Sequence, residues 1–213
     1  MEPFLRATWF IDSDHPSIAG RSLSVTEGCK DEREKAVALF EFVRDGITYN
    51  PYGPIREKNQ YTASATLERG YGYCIQKATL LAALLRAARI PAALIFADIR
   101  NALIPETLKK TIGTDIFVCH CYNNIFINGK WYKATPAFDS AMSSRLDVPV
   151  VRFDGREDAI FPPATTNGRP FVTYLAQRGI RDDVPFAEIM EVFLGYYGEE
   201  VLAAAEKGPE KPL

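Results

Sequence analysis

A cysteine that opens a helix and a histidine held in a strand are the two residues of this chain best suited to covalent chemistry together. Cys74 follows Gly70-Tyr71-Gly72-Tyr73 and begins an apolar run, Ala78 to Arg89. A thiol in the first turn of a helix meets free backbone N–H groups and the positive dipole end, which favour a thiolate. Lys77, one turn on, is expected to add positive charge beside the sulfur. A thiol nucleophile needs a base, and histidine is the usual partner. The chain offers His15 and His120. His15 sits in turn chemistry before Pro16 and reads as a surface residue. His120 lies inside a strand, held by its neighbours as an oriented imidazole must be. The plainer alternatives are a packing cysteine and a structural histidine, both common. The Gly-Tyr-Gly-Tyr lead-in weighs against packing, since a core cysteine needs no tight turn ahead of it.

Several elements must position these two groups. Ala78, Leu81, Leu85 and Ala88 follow Cys74 on one helical stripe, widened by Leu80, Leu84 and Ala87, until Pro91 stops the helix. A second amphipathic helix is expected over 31–45, with Ala36, Leu39, Phe40 and Val43 inward and Asp31, Glu32 and Glu34 loading its first turn. Gly46 ends it, before a short strand at 47–49. Residues 1–28 read as an irregular arm with a short strand near 7–11. Residues 64–68 read as a helical turn, 91–97 as a strand and 98–115 as a long polar connection. Asn128-Gly129 is the pair favoured in type I′ turns, so 116–127 and 130–136 form a hairpin. Pairing outward sets Ile127 against Lys130, Phe126 against Trp131 and Tyr122 against Thr135. Thr135 is then a diagonal neighbour of His120 on one sheet face, with Cys119 and Cys121 on the other. Residues 171–178 fit strand or helix, 185–207 a long helix interrupted at Gly195, and 208–213 a frayed tail. One domain is expected, with its core about 31–140 and a helical extension about 185–207.

The chain of 213 residues is 47% hydrophobic and 24% charged, enough for one substantial core. A net charge of −2 gives no basic face for nucleic acid and no polybasic membrane anchor. No stretch approaches the roughly twenty apolar residues of a spanning helix. The first residues lack a signal-peptide pattern. A cytoplasmic location with reduced cysteines is therefore expected. The four cysteines contain no C-x-x-C pair, and with two histidines a metal site would need scattered ligands. Neither metal nor organic cofactor is expected.

Gly72-Tyr73-Cys74 opening a helix, Leu84-Leu85-Arg86-Ala87-Ala88-Arg89-Ile90-Pro91-Ala92 closing it, His120 in a strand and Gly129-Lys130-Trp131 in the hairpin resemble, in that order, the transglutaminase-like superfamily. The nearest flavour is that of bacterial transglutaminase-like cysteine peptidases, over roughly residues 33–140. The resemblance implies a papain-like α+β core, with the nucleophile helix packed on an antiparallel sheet. It implies Cys74 as nucleophile, His120 as base and a third polar residue that orients the imidazole. Family members usually carry aspartate four residues after the hairpin tryptophan, where this chain has Thr135. A threonine hydroxyl can accept a hydrogen bond but brings no charge, so the imidazolium loses stabilisation. Asp139 is the substitute candidate.

The implied chemistry is attack of Cys74 on an amide or peptide-like carbonyl. A thioester forms and is resolved by water, or by an amine as in transglutaminases. Hydrolysis is the expected outcome, a peptide or amide the expected partner, and neither nucleic acid nor membrane is expected to bind. The alternatives are a non-catalytic scaffold that binds peptides and a metal or redox protein using Cys29, Cys119 and Cys121. For the oxyanion, the Cys74 N–H is one donor; Gln60, Tyr61 and the Tyr49 region remain open for the second.

Overall fold

The computed structural model describes residues 1–207. In chain order its helices are α1 (Pro16–Val25), α2 (Glu32–Gly46), α3 (Ala63–Arg69), α4 (Cys74–Ala87), α5 (Glu106–Ile112), α6 (Ser140–Leu146), α7 (Phe186–Tyr197) and α8 (Glu199–Lys207). The strands are β1 (Thr48–Tyr49), β2 (Tyr71–Gly72), β3 (Ala92–Asn101), β4 (Ile116–Ile127), β5 (Lys130–Ala134) and β6 (Val172–Arg181). The main sheet is antiparallel throughout, in the order β5-β4-β3-β6, and β1 and β2 form a separate parallel pair. The architecture is the expected α+β arrangement.

Helix α4 is the axis of the molecule. Every residue from Ile75 to Arg86 is buried, and α1, α2, α3, β3 and β4 all pack against it. A helix covered on all sides needs apolar residues all round. Leu80, Leu81, Leu84 and Leu85 supply them, each fully buried side chain contributing about 1.5–3 kcal/mol. The basic residues of α4 are buried as braces. Arg86 donates to the carbonyls of Arg6, Ala92 and Asp182, tying the first residues, the start of β3 and the approach to α7 to one point. Lys77 donates to the carbonyls of Arg44 and Ile47, closing the C-terminal end of α2.

The hairpin forms as its turn dictates. Asn128 and Gly129 both have positive φ, and Ile127 pairs with Lys130 and Phe126 with Trp131. Strand β4 carries an irregularity that alternation alone does not foretell. Ala97 pairs with His120 and Ile99 with Phe117, so Val118 and Cys119 together oppose Asp98. Cys119 takes φ +57 at this bulge, and its N–H donates to the Asp98 carboxylate, itself held by Arg178. Beyond the bulge, the Asn123 amide donates to the Ala78 carbonyl of α4, whereas Tyr122 clusters with Ile95 and Ala97 on the opposite sheet face.

Several expectations need correcting. The arm holds α1 rather than a strand, with His15 at its N-cap accepting from the Ser17 N–H. Strand β3 runs on to Asn101, and α5 occupies part of the expected polar connection. The C-terminal helix breaks at Gly198, whose φ of +83 suits glycine, and passes straight through Gly195. Residues 208–213, expected as a tail, lie outside the described residues.

Candidate active site

Cys74 is the first residue of α4, and the turn before it is built to place it there. Gly70 ends α3 with φ +74. Gly72 is required for a different reason: a Cβ there would lie 2.9 Å from Gln76 Oε1 and 3.0 Å from Gln76 Cβ. That side chain cannot give way freely, because its amide oxygen accepts from the Tyr73 N–H and its amide nitrogen donates to the Gln60 carbonyl. Backbone N–H groups of Cys121 and Ile75 are directed at the Cys74 sulfur and favour its anion, but burial outweighs them and pushes the thiol up to about 11.

His120 is buried on β4 among the rings of Tyr122, Phe161 and Tyr174, at centroid distances of 6.0, 5.6 and 6.3 Å. That apolar casing holds its pKa down at about 3. Cys74 and His120 line the same two cavities at the tip of α4, together with Tyr49 and Phe117. His120 shares a sheet face with Tyr122, and it meets Cys74 as a residue lining these cavities at the helix tip. Its Nε2 is sealed from solvent and has no hydrogen-bond partner.

The third position departs from expectation. Thr135 is buried, and its Oγ1 is also sealed without a partner, so the expected Thr135–His120 hydrogen bond is not formed. The Thr135 N–H instead donates to the Ala159 carbonyl, drawing the chain away from the ladder after Ala134. Asp139, the substitute candidate, has both carboxylate oxygens engaged by backbone N–H groups. One carboxylate oxygen caps α6 through the Met142 N–H at 2.7 Å, and the other accepts from the Tyr49 N–H at 2.8 Å. A carboxylate engaged as an N-cap gains from staying where it is.

A family model, that of the transglutaminase-like superfamily, matches residues 20–136, more than half of the chain. The chain belongs to that superfamily. Among solved structures it is similar to a putative cysteine protease from Cytophaga hutchinsonii, at 19% identity and a TM-score of 0.53. That alignment covers 87% of this chain and 48% of the other, so the chain spans about half the length of that relative. It also aligns with a putative protease from Parabacteroides distasonis (16% identity, TM-score 0.40, 59% of this chain and 25% of that one). A structure described as a TGase aligns at 18% identity and TM-score 0.38, over 63% of this chain and 34% of its own. No protein of curated function matches the chain significantly.

Within the superfamily frame, the remaining expected groups fall as follows. Lys77 does not face the sulfur; its ammonium is the buried cap on α2, lowered by burial to about 7 against the pull of Asp139 and Asp45. The hydroxyl of Tyr61 bonds the Ile55 carbonyl and the Tyr73 hydroxyl, and the Gln60 amide oxygen accepts from Arg69. Neither Gln60 nor Tyr61 lines the cavities that Cys74 and His120 share. Tyr49 keeps its hydroxyl: its N–H serves Asp139, its ring packs edge-on against Phe138, and it lines both cavities. Sequence reasoning reached only the Tyr49 region. Cys119, set aside as pointing elsewhere, also lines one of these cavities because of the bulge. No group of three or more His, Cys, Asp or Glu suited to a metal occurs among the described residues, and no described helix is long and apolar enough to cross a membrane.

Proposed function

We propose that this chain is a thiol-dependent acyl-transfer enzyme that hydrolyses amide or peptide-like bonds. Cys74 attacks the carbonyl, His120 takes the thiol proton during attack and returns it to the leaving amine, and water resolves the thioester. The single observation that carries the reading is that Cys74, at the tip of α4, and His120 line the same two cavities. With the thiol near 11 and the imidazole near 3, the resting pair is neutral. The proton therefore moves only as the carbon–sulfur bond forms, as in general-base catalysis. The Cys74 N–H and the Tyr49 hydroxyl serve the developing oxyanion. A cytoplasmic setting, in which the four free cysteines stay reduced, suits this chemistry.

Turnover of a pool of short peptide p-nitroanilides, compared among wild type, Cys74→Ala and His120→Ala, tests the reading. Cleavage lost in both variants supports it; cleavage that survives in Cys74→Ala contradicts it. A second reading, a peptide-binding scaffold without catalysis, is favoured by the unpartnered Nε2 of His120 and the absent carboxylate. It predicts saturable peptide binding with no thioester on Cys74.

A further inference from the structure

The larger cavity over Cys74 has a chemical character that selects its ligand. Its volume is about 80 Å³. Leu108 of α5, Phe117 of β4, Phe193 and Tyr197 of α7 and Leu202 of α8 form its walls, and no residue that lines it carries a charge beside the neutral thiol–imidazole pair. Of the wall tyrosines, Tyr73 and Tyr197 present rings, and Tyr49 alone keeps a free hydroxyl, the one assigned above to the oxyanion. Tyr197 has its hydroxyl between the Val118 N–H and the Ile116 carbonyl, and Tyr73 bonds Tyr61. No charged side chain lines these walls to neutralise an incoming carboxylate or ammonium, and an uncompensated buried charge is strongly disfavoured.

We propose that this cavity is the acyl-side specificity pocket, taking a small, branched aliphatic side chain next to the scissile carbonyl and rejecting charged ones. The proposal rests on the thioester reading above and goes further by naming the substrate class. Size sets the upper bound. A cavity of about 150 Å³ accepts benzene, so one near half that volume suits an isopropyl or isobutyl group better than a phenyl ring.

Acylation of the full chain by p-nitrophenyl esters tests the proposal, with nitrophenolate release followed in a single turnover and Cys74 identified by peptide mass spectrometry. The esters are acetate, isovalerate, monosuccinate and benzoate, each rate divided by that of N-acetylcysteine to remove intrinsic reactivity. Isovalerate should acylate Cys74 at least tenfold faster than monosuccinate, and faster than benzoate. Leu202→Phe, which fills the pocket, should slow isovalerate at least fivefold more than it slows acetate. Leu108→Phe does the same from α5 and guards against a folding defect in either variant. Equal rates for isovalerate and monosuccinate, with acetate still acylating Cys74, overturn the pocket alone. Failure of every ester to acylate Cys74 overturns the thioester reading and the pocket with it.

Discussion

His120 Nε2 and Thr135 Oγ1 are both buried, both sealed from water and both without a hydrogen-bond partner. In a thiol–imidazole site a carboxylate at the second position would hold the imidazolium. Here nothing does, and the apolar casing of Tyr122, Phe161 and Tyr174 presses the same way. Burial of both the imidazole and the thiol sets the neutral resting pair.

Thr135→Asp should restore the anion. An opposite charge within about 4–6 Å raises an imidazole by 1–3 pKa units, and the imidazolium in turn lowers the thiol. The iodoacetamide alkylation rate of wild-type Cys74 should climb steadily with pH towards 11, without a plateau below pH 8. In Thr135→Asp the profile should move down by at least one unit, and the double variant Thr135→Asp/His120→Ala should lose that shift. An unchanged profile with folding intact would place Thr135 away from the imidazole.

Lys77 governs stability rather than reactivity. Its folded pKa of about 7 lies below the usual 10.5, so between these values the unfolded state holds the extra proton and stability rises with pH. Denaturant titrations of wild type from pH 7 to 9.5 should show that rise; Lys77→Met should abolish it. At pH 9 the variant should be less stable by about 1–3 kcal/mol, because two buried carbonyls lose their donor. Its iodoacetamide rate at Cys74 should match wild type within twofold.

Helix α8 roofs the cavity through Leu202 and Ala205, and Arg56 clasps it through Glu199 and Glu206. Exposed ion pairs are screened by solvent and hold their elements only weakly. Arg56→Ala should therefore raise Cys74 alkylation only about two- to fivefold at fixed pH, and 0.5 M salt should reproduce much of that gain in wild type. No change in either experiment would mean that α8 does not limit access.

Tyr49→Phe removes one hydroxyl and little packing. With Tyr49 as oxyanion donor, acylation of Cys74 should fall about 100-fold while iodoacetamide alkylation, which builds no oxyanion, stays within twofold. Equal loss in both reactions would mark Tyr49 as structural.

The sequence made the nucleophile helix and the hairpin legible because local chemistry decides both: the Gly70–Gly72 lead-in, the leucine stripe, and Asn128-Gly129. Alternation from that turn also carries the register out to Asn123 and Ala134, beyond which Thr135 leaves the ladder for Ala159. What the sequence hid depends on partners distant along the chain. Lys77 looked like a charge for the sulfur because its true acceptors, the Arg44 and Ile47 carbonyls, lie at the C-terminal end of α2, far away in sequence. Asp139 looked free because α6 carries only a weak apolar period, so its N-cap role was not apparent. The bulge at Cys119 is specified by Asp98 on the neighbouring strand, which period-two reading along β4 cannot register.

The most direct measurement is the rate at which Cys74 forms a thioester at pH 7 in wild type and in His120→Ala, read by intact mass under a single turnover of p-nitrophenyl isovalerate. General-base assistance predicts a loss of about 100-fold or more in the variant, with the label in wild type on Cys74 alone. Equal rates, or a label carried by Cys119 or Cys29 instead, would contradict the account.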